Sequence, residues 1–254
     1  KDCRLIAGAD VSYIKGSEIF YASVVVFNLQ TMERVEEVTA SGKVDFPYIP
    51  GLLSFRESPI LLKAFAKIKS EPDVIILDAQ GIAHPRGIGL ASHIGLLLDK
   101  SAIGCAKTRL IGEYNEVGGE AGCHSQLTVK DKIVGAVLRT RKNVKPVFVS
   151  PGHKIDLKTS IALILKSCRG YRLPEPVRQA HNLVKKTATH PILKMGCVPI
   201  FLFSLEVNYQ LESFSSCAFF FISAHSFSFL ILSATCATNS GFPSADAFFF
   251  ASSF

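Results

Sequence analysis

Three acidic residues stand where an ionised carboxylate is costly. Asp10 lies inside the apolar run LIAGADVSY, Asp78 closes VIILD, and Glu57 follows PYIPGLLSFR. Short aliphatic and β-branched runs read as buried strands, and a carboxylate placed in one needs a cation. Any one of the three alone is more often a strand-end or cap residue. Together they offer hard oxygen ligands for Mg²⁺, with Mn²⁺ as the alternative ion, and such a site suits phosphate chemistry. Lys107 closes a further run, SAIGCAK, where an ammonium group can meet a scissile phosphate; its bland reading is a snorkelling surface lysine. His181 falls on the apolar stripe of LPEPVRQAHNLVKK, and an inward histidine is more often a hydrogen-bonded core residue than a ligand.

Two loops add groups for recognition. In PYIPG, Pro47 and Pro50 fix φ on both sides of Tyr48 and Ile49, and Gly51 allows a sharp exit, so a stiff loop presents an aromatic ring. That ring either stacks on or wedges between bases, or it caps the core. In QGIAHPRGIGLAS, Gly81, Gly87 and Gly89 let backbone approach a ligand, with His84 and Arg86 available to phosphate. The glycine spacing is too loose for a nucleotide-binding fingerprint.

The elements that must hold these residues follow from the periodicity. LIAGADVSY, EIFYASVVVFNLQ and ERVEEVTASGKV read as three successive strands, a meander. SPILLKAFAKI is a helix carrying Leu61, Phe65 and Ile68. DVIILD is a strand, GLASHIGLLLD a helix and SAIGCAK a strand. KIVGAVLRT and KPVFVSP add strands, IDLKTSIALILKSC is a helix with Asp156 as its N-cap, and LPEPVRQAHNLVKK closes the series with Pro176 in its first turn. A meander leading into alternating helix and strand makes an α/β fold, a mixed β-sheet flanked by helices, and ribonuclease H-like folds have this order.

Composition divides the chain. Of 28 Lys and Arg and 21 Asp and Glu, one basic and three acidic residues lie beyond residue 190, together with 13 of the 19 phenylalanines. Residues 1–190 therefore form the expected catalytic domain, and 191–254 a Phe/Ser-rich tail. The net charge of +7 comes from the body and favours polyanionic partners. The tail has an uncharged stretch from Ser213 to Ala245 that is long enough to span a bilayer, but its serines and the lack of flanking Lys or Arg argue against a span. A disordered or read-through segment is the preferred reading of the tail, with membrane contact and a packed extension as the lesser ones. The seven cysteines form no CxxC pair and read as reduced thiols, and KDCRLIAGAD is not a secretory signal. Both point to an intracellular protein, cytoplasmic or, in a eukaryote, nuclear.

Six ordered strings, AGADVSY, FPYIPGLLSFRE, VIILDAQGIAHPRGIGLASHIGLLL, GCAK, SPGHKIDL and RLPEPVRQAH, resemble the endonuclease V family from about residue 5 to 186. The resemblance implies a ribonuclease H-like fold and a metal-dependent endonuclease that nicks the second phosphodiester on the 3′ side of deoxyinosine in DNA, or of inosine in RNA. It further implies that Asp10, Glu57 and Asp78 bind metal, that His181 completes the metal centre, and that Lys107 is the active-site lysine. Tyr48, between Pro47 and Ile49, corresponds to the wedge tyrosine, His84 lies near the scissile strand, and Gly81 belongs to the pocket wall for the flipped base. Arg86 and Gly89 are grouped with the substrate-binding residues, and the protein is expected to act as a monomer. Two departures stand out: Ala79 occupies a position usually held by glycine, and an N-terminal helix is missing. A nucleic-acid-binding protein without cleavage, or another ribonuclease H-like structure-specific nuclease, are the rival readings.

Overall fold

The computed structural model describes residues 3–189 and, in backbone outline, two short strands at Ala218–Phe221 and Leu230–Ser233. The chain divides into two units, Lys1–Val198 and Pro199–Phe254. The expectations for the tail, including membrane contact, lie almost entirely outside the described residues. Among the described residues no helix is long and apolar enough to cross a membrane.

The first unit is built on an eight-stranded sheet ordered β3-β2-β1-β4-β5-β8-β7-β6. β1 (Leu5–Tyr13), β2 (Ile19–Asn28) and β3 (Arg34–Lys43) form the antiparallel meander. β4 (Val74–Leu77) and β5 (Ser101–Ala106) run parallel to β1. β6 (His124–Val129), β7 (Lys132–Leu138) and β8 (Val147–His153) continue antiparallel beyond β5. The parallel pairs require crossovers, supplied by α1 (Leu53–Phe65) and α2 (Leu90–Leu98). These two helices cover one face, burying Ile60, Leu61, Phe65, Leu90 and Ile94 against Ala9, Val24, Val26 and Ile75. α3 (Leu157–Ser167) and α4 (Glu175–Thr189) cover the other, burying Leu163, Ile164, Val177 and Ala180 against Ile6, Val25, Ile76 and Val149.

The expected mixed sheet and its strand order are present, with two local differences. The first helix begins at Leu53, not Ser58, so Pro59 sits inside it and Glu57 is helical. The residue before the helix, Leu52, makes no side-chain cap hydrogen bond that would mark the start. β6 went unread because HSQLTV has only Leu127 fully buried; it is an edge strand whose pattern is mostly polar. The expected cap is present: the Asp156 carboxylate accepts the backbone N–H of Thr159 at 2.9 Å. Cys3, Cys105, Cys123 and Cys168 are free thiols, in line with the reduced state expected for the described cysteines.

One glycine controls how close a helix comes to the sheet. A β-carbon at Gly8 would overlap the Pro176–Val177 peptide, so α4 rests directly on the backbone of β1. Gly8 and Asp10 point to the same face of their strand, and this contact therefore sets the distance between Asp10 and α4.

Candidate metal centre

Asp10 projects from β1 toward α4, and Asp78 follows the last residue of β4 one strand away. His181 comes down from α4 with its Nδ1 2.6 Å from Asp10 Oδ2. One ligand atom from each of Asp10, Asp78 and His181 lies within 4.8 Å of the other two. Among the described residues this is the single such grouping of three His, Cys, Asp or Glu side chains. Glu57 approaches from α1, on the opposite face of the sheet, and its carboxyl feels the charges of both Asp10 and Asp78. Lys107, the residue after β5, pairs its ammonium with Asp78 Oδ2.

The electrostatics of the cluster are dominated by burial and mutual repulsion of its carboxyls. Burial, followed by the charges of Asp10 and Asp78, pushes Glu57 up to about 8. Asp10 is also raised, first by burial and then by Asp78, although the hydrogen bond from His181 opposes the shift. Two carboxyls held above their usual range are in unfavourable surroundings for negative charge, and a divalent ion reverses that preference. The donor set of three carboxylates and one imidazole fits a hard or borderline cation. With Asp10 ionised, its oxygen can only accept, so Nδ1 of His181 is the donor in this hydrogen bond.

A cleft of about 870 Å³ opens beside the cluster and shares Asp78 and Lys107 with it. The loop Tyr48 to Ser54 forms one wall, the segment from His84 to Leu90 another, and the strand exit Ala106 to Leu110 a third. Tyr48 is 67% exposed, with Ile49 beside it also exposed, so the ring stands at the rim and does not cap the core. His84, Arg86 and Gly89 line the cleft, as does Ala79. The His84 imidazole is held below its usual range by partial burial and by Arg86. Gly81 has a different place: its N–H donates to Ser150 Oγ at 2.7 Å, a β-carbon there would overlap the Pro151 carbonyl, and it does not line the cleft. Pro47 likewise lies outside the cleft lining.

Several supporting residues escaped the sequence reading. Arg172 donates to the Lys107 carbonyl at 2.6 Å and to the Pro146 carbonyl at 2.8 Å, which fixes the backbone that carries the lysine. Gln80 Nε2 donates to the Thr108 carbonyl at 3.0 Å and ties the end of β4 to the end of β5. No local pattern announces these contacts, because each joins segments 26 or more residues apart. Gly8 was detectable in principle, since glycine inside an apolar strand often marks a close backbone approach.

A family model described as Endonuclease V matches residues 1–182. The chain belongs to the endonuclease V family. It is 52% identical over 177 residues to an endonuclease V of Dehalococcoides mccartyi, covering 70% of this chain and 79% of that protein. The crystal structure of endonuclease V from Streptomyces avermitilis superposes with a TM-score of 0.71 at 40% identity, over 74% of this chain and 82% of that one. Endonuclease V from Ciona intestinalis, solved with a 24mer DNA containing an inosine followed by a ribo-adenosine, superposes with a TM-score of 0.66 at 29% identity, over 74% of this chain and 87% of that one. The ribonuclease H-like fold expected from strand order is thus the fold of the family, and the chain is an endonuclease of that family.

Proposed function

We propose that this endonuclease V chain is a Mg²⁺-dependent enzyme that recognises inosine in DNA or RNA and nicks the second phosphodiester on its 3′ side, leaving 3′-hydroxyl and 5′-phosphate ends. The observation that carries the proposal is the grouping of Asp10, Asp78 and His181, with Glu57 near enough to feel both aspartates, beside a cleft rimmed by an exposed tyrosine. The inosine-containing DNA bound by the Ciona intestinalis relative supports the substrate class.

Asp10, Asp78 and Glu57 would hold the cation, with His181 completing its surroundings. A bound Mg²⁺ supplies charge neutralisation at a phosphate oxygen and lowers the pKa of coordinated water. The protein's own groups do the positioning. Lys107, held by Asp78 on one side and by Arg172 through its backbone, adds a fixed positive charge where a phosphate enters. Ion binding at Asp10 and Glu57 requires their deprotonated forms, so it releases protons.

Tyr48 at the cleft rim stands where a side chain can fill the gap left by an extruded base, while the cleft behind it receives that base. An inosine pair is weaker than a normal pair, so it costs less to open. Arg86 and Arg109 on the lining face the backbone with positive charge.

The direct test uses the full chain with a 5′-labelled inosine oligonucleotide and a matched adenine control, each with Mg²⁺ and with EDTA. A single Mg²⁺-dependent nick on the inosine strand alone is the expected result. Equal cutting of both strands would favour another nuclease of the same fold. Binding without cutting would favour the nucleic-acid-binding reading.

A further inference from the structure

We infer that Ser23 is a positioning residue for the metal centre, acting through α4 on His181. The inference rests on the metal-centre reading above. Ser23 lies on β2 directly across from Asp10 in the antiparallel ladder. Its side chain points to the α4 face, between the buried Tyr21 and Val25. It is 0% exposed, and its Oγ donates to the Ala180 carbonyl at 2.7 Å. Ala180 immediately precedes His181, whose Nδ1 returns to Asp10 at 2.6 Å. A closed circuit therefore runs from Asp10 across the ladder to Ser23, through its hydroxyl to Ala180, and back through His181 to Asp10.

The position is chemically out of place for a core strand. The neighbours that face α4 are Tyr21, Val25 and Phe27, so packing alone would call for an aliphatic side chain at residue 23. A buried hydroxyl costs free energy unless it is hydrogen-bonded, and here its partner is the helix residue adjoining the proposed ligand. Gly8 brings α4 down onto β1 one helical turn earlier, at Pro176 and Val177. Gly8 sets the height of the helix, and the Ser23 hydroxyl sets its rotation and its position along the axis. Together they determine where the His181 ring falls relative to Asp10. Groups that orient ligands from behind in this way typically change metal affinity by about 10-fold to 100-fold when removed.

The test measures Mn²⁺ binding to the full chain directly, by loss of the free-ion electron paramagnetic resonance signal, and compares wild type, Ser23→Ala and Ser23→Thr. Thermal unfolding and the Mn²⁺ concentration giving half-maximal nicking are followed in parallel. Ser23→Ala is expected to weaken Mn²⁺ binding and raise that concentration by about tenfold, with the KM for the oligonucleotide unchanged. Ser23→Thr, which keeps the hydroxyl, is expected to recover most of the affinity. Wild-type Mn²⁺ affinity in Ser23→Ala would overturn the inference. So would a Ser23→Thr variant that binds Mn²⁺ as weakly as the alanine variant while unfolding at the wild-type temperature. A wild-type chain that binds no Mn²⁺ would overturn the metal centre itself and the positioning role with it.

Discussion

Two clefts of similar size open at opposite ends of the same parallel strands, and Asp10 and Glu57 beside the first are shifted in the opposite direction from Asp99 and Asp156 in the second. The cleft of about 870 Å³ lies where β4 and β5 end, beside Asp10, Glu57 and Asp78. The other, of about 810 Å³, lies where β4 and β5 begin, lined by Asp73, Asp99 and Asp156 among others. There the acids already have partners: Asp73 accepts the N–H groups of Arg4 and Leu5, Asp99 pairs with Lys154 at 2.5 Å, and Asp156 caps α3. Asp99 and Asp156 are accordingly held below the usual carboxylate range by hydrogen bonds from Lys154 and Thr159 respectively, whereas Asp10 and Glu57 are pushed above it by burial. Cavity volume does not separate the two ends. What separates them is burial: Asp10 and Glu57 sit where negative charge is penalised, whereas Asp99 and Asp156 are solvent-exposed and stabilised by hydrogen bonds.

The largest expected contrast comes from removing one acid at each end. Asp10→Asn should lower nicking of an inosine oligonucleotide by about 10³-fold or more, since it would remove a proposed oxygen ligand of the cation. Asp156→Ala should leave the nicking rate within about twofold, because a cap acts on helix stability. Comparable losses from both substitutions would erase the distinction. Lys107→Ala should cost about 10²-fold in single-turnover nicking, the scale of one fixed charge lost near a phosphate. Tyr48→Ala should reduce the preference for inosine over normal duplex by about tenfold, with the salt dependence of binding retained; competition binding at two salt concentrations reads both.

The two ends should also respond to pH with opposite sign. A carboxyl whose folded pKa is raised contributes stability that is present below its unfolded value and lost as pH rises through the folded value. Glu57, raised from 4.5 to about 8, therefore weakens the metal-free fold as pH climbs across that interval. Asp99 and Asp156, lowered from 3.8, contribute stability that is present above that value and lost as pH falls through their folded pKa. Thermal unfolding in EDTA should show the decline toward alkaline pH, and Mg²⁺ should flatten it. An identical profile with and without Mg²⁺ would contradict the assignment of Glu57 to the centre. The smallest effect is expected from Asp156→Ala on stability, a fall of a few degrees in Tm.

Much of this arrangement was legible in the sequence, for physical reasons that differ by residue. The strands carrying Asp10 and Asp78 were evident because buried parallel strands are short, continuous apolar runs bounded by polar residues. Residue pattern alone placed His181 on the inward face of α4 but favoured a core role; only the PEPVRQAH resemblance put it beside Asp10, where the ring lies. The start of α1 is not legible, because Leu52 in front of it makes no side-chain cap hydrogen bond. Ser23 and Arg172 could not be read, since a hydrogen bond spanning 157 residues from Ser23 or 65 from Arg172 leaves no local periodicity. Gly81 illustrates the same limit in reverse: a glycine in a recognition loop looks available to a ligand, yet its open side is filled by the backbone of β8.

On the proposed reading, Asp78 acts in the chemical step and contributes little to substrate affinity although it lines the cleft. Asp78→Ala in the full chain can be compared with wild type for affinity to an inosine oligonucleotide in EDTA and for nicking of the same strand in Mg²⁺. Affinity within a few-fold of wild type together with abolished nicking is the expected result. Nicking at the wild-type rate by Asp78→Ala would contradict it.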